Sequence, residues 1–162
     1  MRVSPVGWAY NTVEDILHEG EACATITHNH PEGIKGAQAV ALAIFRARYG
    51  STNEDIRKEI TQRFGYDLSR SVDEIRPTNH FDETCQKTVP PEIVAFLELQ
   101  DFENAIRKAI SLGGDADTLV AITGSIAEAF YGGVPEEIVK ELRRRVPEKL
   151  WDVVVRFSQI YC

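Results

Sequence analysis

Residues 35–49 constrain the fold more than any other stretch. They carry Ala37, Ala39, Val40, Ala41, Leu42, Ala43, Ile44 and Phe45, followed by Gly50 as a stop. Read as a helix, the segment is apolar most of the way round. A helix with no face for water must sit inside a bundle, with neighbours on several sides. Its alanines let those neighbours come close.

The rest of the chain supplies neighbours of the same kind. Residues 12–25 begin with Asn11 or Thr12 as a cap and carry Glu14 and Asp15 in the first turn, which suits the positive end of a helix dipole. Ser51 or Thr52 caps a helix that Gly65 ends near Phe64. Further helices are expected over 92–99, 102–112 behind Asp101, 117–131, 135–144 and 150–160. Residues 66–91 contain Pro77, Pro90 and Pro91 and little periodicity, and are expected to form a long irregular loop with a short helix near Val72. No repeat or strand pattern interrupts this reading. The expectation is one all-α domain spanning 1–162, a compact multi-helix orthogonal bundle.

Composition excludes several functions. The net charge of −7 repels a phosphate backbone, so general nucleic-acid binding is not expected, although a metal ion could still hold a phosphorylated ligand locally. No apolar run approaches the ~20 residues of a membrane helix. The first residues lack the pattern of a signal peptide, so the expected location is cytoplasmic and no membrane partner is expected. Cys23, Cys85 and Cys162 are widely spaced, without a Cys-x-x-Cys pair, and read as incidental or buried thiols. Walker, Gly-x-Ser-x-Gly and His-Glu-x-x-His motifs are missing from the sequence.

Two polar segments remain. In the first, Gly113 and Gly114 allow a sharp turn between two helices, Asp115 falls at an N-cap, and Asp117 and Thr118 lie in the first turn. Two carboxylates and a hydroxyl at one helix start form an all-oxygen set of the kind Mg²⁺ prefers. Acids at a helix start also serve as caps alone, and composition does not separate the two readings. The second segment is the loop of His28, Asn29 and His30, which could ligate a metal or cap the following helix. His80 reads as an isolated, exposed histidine.

Longer signatures sharpen this. The segment SLGGDADTLVAITGSIAEAFYGGVP (111–135) resembles the C-terminal signature of the ADP-ribosylglycohydrolases, and THNHPEGIKGAQ (27–38) resembles a second signature of that family. MRVSPVG (1–7), FDETCQKTVP (81–90) and PEIVAFL (91–97) resemble the stretches around them, in the same order. The resemblance implies an all-helical fold and Mg²⁺-dependent (in some members Mn²⁺-dependent) hydrolysis of an ADP-ribosyl glycosidic bond. It implies metal ligation by Asp115, Asp117 and Thr118, with Asp117 between two ions as the catalytic ligand. It also implies that His28 contacts bound ADP-ribose and that Gly33 and Gly36 keep the loop close to it.

The family's Gly-Asp-rich first signature, its Thr-Asp-Asp metal element and its phosphate loop have no counterpart in these 162 residues. The chain therefore resembles the C-terminal part, with about half of the expected metal ligands, and catalysis would need a separate N-terminal chain. The alternative is a non-catalytic helical module that binds ADP-ribose or a partner protein. Loss of neighbours should expose apolar surface on the helices at 35–49 and 117–131 and so favour a homo-oligomer.

Overall fold

The computed structural model describes residues 1–82, 84–98 and 100–162. They form α1 (Ser4–Ala9), α2 (Val13–Thr25), α3 (Pro31–Arg48), α4 (Asn53–Phe64), α5 (Val72–Ile75), a 3-10 turn (Arg76–Thr78), α6 (Cys85–Leu97), α7 (Phe102–Ser111), α8 (Ala116–Tyr131), α9 (Glu136–Arg145) and α10 (Glu148–Tyr161). No strand occurs among the described residues, and the fold is all-α. No helix in them is long and apolar enough to cross a membrane.

The central helix is α3, packed against α1, α2, α4, α6 and α8. Ala39 and Ala41 through Ile44 have no exposed surface at all, and Val40 and Phe45 are nearly as deep. Ile16, Ile56, Ile60, Ile93, Phe96 and Ile126 close round it. At ~25 cal/mol per Å² of apolar surface removed from water, this burial is the main drive to fold. The helix starts follow the capping residues. Thr12 accepts from Asp15 N (3.1 Å), Asp101 accepts from Asn104 N (2.7 Å), and Thr52 with Asp55 forms a capping box.

Three expectations change. The helix expected from Lys35 begins at Pro31, because proline suits the first helical position and the His30 ring accepts from Glu32 N at 3.2 Å. A helix not foreseen, α1, covers Ser4–Ala9. The irregular stretch expected over 66–91 is much shorter. It runs from Gly65 to Ser71, resumes after the 3-10 turn, and ends where α6 begins at Cys85, well before Pro90 and Pro91. Proline lacks an N–H, so the Gln86 and Lys87 carbonyls lose their in-helix donors, but both residues are exposed and water can serve them. Even the irregular part is no free loop: Tyr66 and Leu68 are buried, and Arg57 donates to the Leu68 carbonyl. Leu99, where the helix over 92–99 was expected to end, lies outside the described residues.

Exposed apolar surface lies elsewhere than expected. The helices at 35–49 and 117–131 keep most of their apolar residues covered, since α1, α2, α4 and α6 surround α3, and α7 packs on α8; Tyr49 and Tyr131 at their ends are exposed. The largest group of uncovered residues on one helix sits on α10, where Leu150, Val153, Val154 and Ile160 are all more than half exposed. Neither α9 nor α10 buries a residue.

Two glycines test the packing of the bundle. A Cβ on Gly7 of α1 would lie 2.6 Å from Ile44 Cβ and 2.9 Å from the Ala41 carbonyl oxygen, so only glycine lets α1 lie on α3 here. A Cβ on Gly20 of α2 would meet Gln38 at 3.4 Å, an ordinary contact. Gly7→Ala should lose ~1–3 kcal/mol or more in urea unfolding through overpacking. Gly20→Ala should be neutral, or gain up to ~1 kcal/mol of helix propensity. Equal losses in both would refute the close approach of α1 to α3.

Candidate functional site

The turn between α7 and α8 depends on two left-handed glycines, Gly113 (φ +73°) and Gly114 (φ +89°). It delivers Asp115 to the N-cap of α8, yet the Asp115 side chain accepts no backbone N–H. Its carboxylate takes a hydrogen bond from the Thr118 hydroxyl at 2.7 Å instead. This differs from Thr12, Thr52, Ser71 and Asp101, whose side chains all cap backbone groups. Asp115 is thus a helix-start acid left unused by its helix, and its free lone pairs suit a hard cation.

Asp115 and Thr118 open onto a cavity of about 460 Å³. Its walls come from residues 1–3, from the end of α2 and the following loop with the adjoining α3 (Cys23, Ala24, His28, Gly33, Gly36, Ala37, Val40), from residues 79–82 and the adjoining α6 (Cys85, Lys87, Thr88, Val89, Pro91, Glu92), and from the glycine turn and α8 (Thr118, Leu119, Ile122). The segment 79–81 is fastened to the glycine turn. Asn79 Nδ2 donates to the Leu112 carbonyl at 3.0 Å, and Gly114 packs beside Phe81. The cavity is therefore assembled from four distant parts of the chain.

Of the expected site residues, Asp115, Thr118, His28, Gly33 and Gly36 all line this cavity. Asp117 does not. It is exposed in the first turn of α8, and a helix turns ~100° per residue, so a second helical residue faces away from the cap and third positions that meet here. Among the described residues no three His, Cys, Asp or Glu side chains converge as a metal cage would require. The acids present fit half of a metal site at most. The space left by the two glycines is taken up by the protein itself: a Cβ on Gly33 would press on the His28 carbonyl oxygen at 3.0 Å, and one on Gly36 would meet Cys85 Cβ at 3.1 Å.

The two loop histidines separate by role. His30 caps α3 through Nδ1. His28 faces the cavity, and its Nδ1 lies 2.7 Å from the Thr27 hydroxyl. Arg2 donates to that same hydroxyl. Arginine can only donate, so Thr27 is free to give its own proton to Nδ1, an arrangement that leaves the His28 Nε2–H as an outward donor.

Several cavity residues carry no signal in the sequence. His80 is exposed as expected, but it lines the cavity. Asp82 also lines it, and hydrogen bonds from the Thr84 hydroxyl and the Lys87 ammonium, with the Thr84 backbone N–H, hold its carboxyl down to about 2. Glu92 is the least expected. It reads as an ordinary polar residue near a helix start, yet it is completely buried in α6. The Thr123 hydroxyl of α8 lies 2.9 Å from its Oε2 and 3.0 Å from its backbone carbonyl, and Oε1 has no partner. Burial pushes the Glu92 carboxyl up to about 8, against a smaller opposing effect of the Thr123 bond.

This carboxyl makes stability depend on pH. The folded protein keeps a proton that the unfolded chain releases above its ordinary value of 4.5. Stability from the neutral acid is fully present below that value, falls as pH rises toward about 8, and is lost beyond it. Unfolding free energy measured by denaturant should fall over this window with a slope approaching ~1.4 kcal/mol per pH unit from this one group. Glu92→Gln should remove that slope, whatever its constant offset. Equal slopes in the two proteins would show that Glu92 is ionised in the fold.

The chain matches the ADP-ribosylglycohydrolase family over residues 1–160. It is 28% identical to an uncharacterised protein of Archaeoglobus fulgidus over 99% of the chain and 59% of that protein. It is 26% identical to the human ADP-ribosylhydrolase ARH3 over 84% of the chain and 50% of that protein. A third relative, the ADP-ribosylarginine hydrolase Tri1 of Pseudomonas putida, is 26% identical over 74% of the chain and 34% of its own length. The chain thus spans about half the length of the curated relatives it matches. With an all-helical fold and a match along nearly its whole length, the chain belongs to the ADP-ribosylglycohydrolase family.

Proposed function

We propose that this chain forms the C-terminal half of a Mg²⁺-dependent site that hydrolyses an ADP-ribosyl glycosidic bond. The observation that carries this reading is Asp115, a helix-start carboxylate on the cavity rim that caps nothing and is held by Thr118. The family match and the hydrolase names of ARH3 and Tri1 support the reaction class.

Within this reading Asp115, Asp117 and Thr118 would be the ligands that this chain gives the ion, and of these Asp115 and Thr118 already open on the cavity. Mn²⁺ would satisfy the same oxygen set. The bound ion would supply positive charge that orients ribose hydroxyls and acidifies a water. His28 offers its Nε2–H to a phosphate oxygen of ADP-ribose, and the apolar wall of Ala37, Val40, Leu119 and Ile122 excludes water around the ligand. The remaining metal ligands come from outside these 162 residues, supplied by a further segment or a separate chain.

A second reading has its own support. With no three-carboxylate cluster among the described residues, the chain could bind ADP-ribose without cleaving it. Calorimetric titration of Mg²⁺ with and without ADP-ribose separates the two. The hydrolase reading expects Mg²⁺ binding that ADP-ribose strengthens and that Asp115→Ala and Asp117→Ala each weaken at least tenfold, a loss of ~1.4 kcal/mol or more. Binding of ADP-ribose unaffected by Mg²⁺ or by either variant would leave only the binding module.

The apolar face of α10 suits self-association of the chain. Light scattering at micromolar concentration should report a dimer or larger species, and Val154→Glu should return it to monomer. A monomer in the unmodified protein would rule this out.

A further inference from the structure

Glu92 is a charged-type residue with no exposed surface, set in the wall of the proposed ligand cavity. One of its carboxyl oxygens is met by the Thr123 hydroxyl and the other by nothing. No cation comes to it. Lys87 of the same helix pairs with Asp82 at 2.9 Å, and Lys108 of α7 with Glu98 at 2.9 Å. The acids of α4 and α5 are likewise engaged elsewhere: Glu59 with Arg46 at 2.6 Å, and Glu74 with Ser71 N at 2.7 Å. α3 brings only Gly33, Gly36, Ala37 and Val40 to the cavity, and α8 only Thr118, Leu119 and Ile122 beyond the Asp115 cap. The other charged or titratable groups on the cavity are the Met1 amino group, Arg2, Cys23, His28, His80, Asp82, Cys85, Lys87 and Asp115.

A wall acid with this environment has two states of opposite consequence for an anion. Neutral, it adds no charge to the cavity. Ionised, it adds a negative charge that no neighbouring cation offsets and that low-dielectric walls screen poorly. We propose that Glu92 is a specificity-determining residue of this cavity, an uncharged acid that admits a diphosphate ligand and, once it loses its proton, disfavours that ligand against an uncharged one. The proposal rests on the reading of the cavity as an ADP-ribose site. It assigns Glu92 no contact with the ligand, since both carboxyl oxygens are enclosed by protein, and the residue acts through its charge.

A unit charge ~10 Å from a phosphate, at an effective dielectric of ~20, changes affinity on the order of tenfold. The test is calorimetric binding of ADP-ribose and of adenosine from about pH 6 to about pH 9, at one fixed Mg²⁺ concentration. Three proteins are compared: the unmodified chain, Glu92→Gln and Thr123→Ala. Differences among them cancel the pH response of every other cavity group, which all three share. The unmodified chain should lose on the order of tenfold in ADP-ribose affinity toward the alkaline end, with no matching loss for adenosine. Glu92→Gln should lack that loss. Thr123→Ala removes the one bond that favours the ionised form, so its loss should begin at higher pH, a shift that a purely structural defect would not produce. Parallel ADP-ribose profiles in all three proteins would overturn the role of Glu92 and leave the ADP-ribose reading intact. Binding of ADP-ribose to none of them at any pH would overturn both. If Glu92→Gln does not fold, the direction of the Thr123→Ala shift decides alone: no shift, or a shift to lower pH, overturns the proposal.

Discussion

Burial of α3 on all sides is the constraint on which the rest of this structure depends. A helix with Ala39 and Ala41 through Ile44 wholly out of water is stable only when other helices enclose it. Its alanines keep it thin enough for several neighbours to fit. Gly7 of α1 comes so near that the Ile44 side chain occupies the place of its missing Cβ, and Gly36 of α3 admits Cys85 and Val89 of α6 in the same way. Small residues at these crossings let backbone approach backbone, and dispersion contacts accumulate over the whole crossing.

The cavity follows from that packing. Because α3 holds α2 on one side and α6 and α8 on the other, the loop after α2, the start of α6 and the start of α8 open at the same end of the bundle. The glycine turn before α8 then decides what is presented there. With Gly113 and Gly114 in the left-handed region, Asp115 emerges beside residues 79–81 instead of folding back to cap its own helix. Conformational freedom at two positions is thereby converted into a carboxylate with lone pairs to spare. Glu92 reaches the same wall from behind, held by a threonine of α8, so the two helices that frame the cavity also share its buried acid.

Elements with strong local signals were legible in the residues. Thr12, Thr52 and Asp101 each mark a helix start that the structure keeps, and Gly65 and Gly132 mark ends in the left-handed conformation. Proline misled in both directions. Pro31 opens α3 earlier than its neighbourhood implies, while Pro90 and Pro91 sit inside α6, where tertiary packing of Val89, Ile93 and Phe96 outweighs two lost hydrogen bonds. α1 is too short for periodicity to reveal, and its place is decided by contact with α3.

The site divides along the same line. Asp115, Thr118 and His28 lie in contiguous signatures, so their type and spacing alone marked them as candidates, together with the helical fold and its buried centre. The sequence by itself also determined the caps, because a cap needs only residues three or four apart. Tertiary structure alone decided that His28 and His80 face one cavity, and that Glu92 is buried beside Thr123 across 31 residues of chain. The physical reason is range. Capping and periodicity act within a few residues, whereas burial, electrostatic environment and the direction a side chain faces depend on which distant helix lies against it.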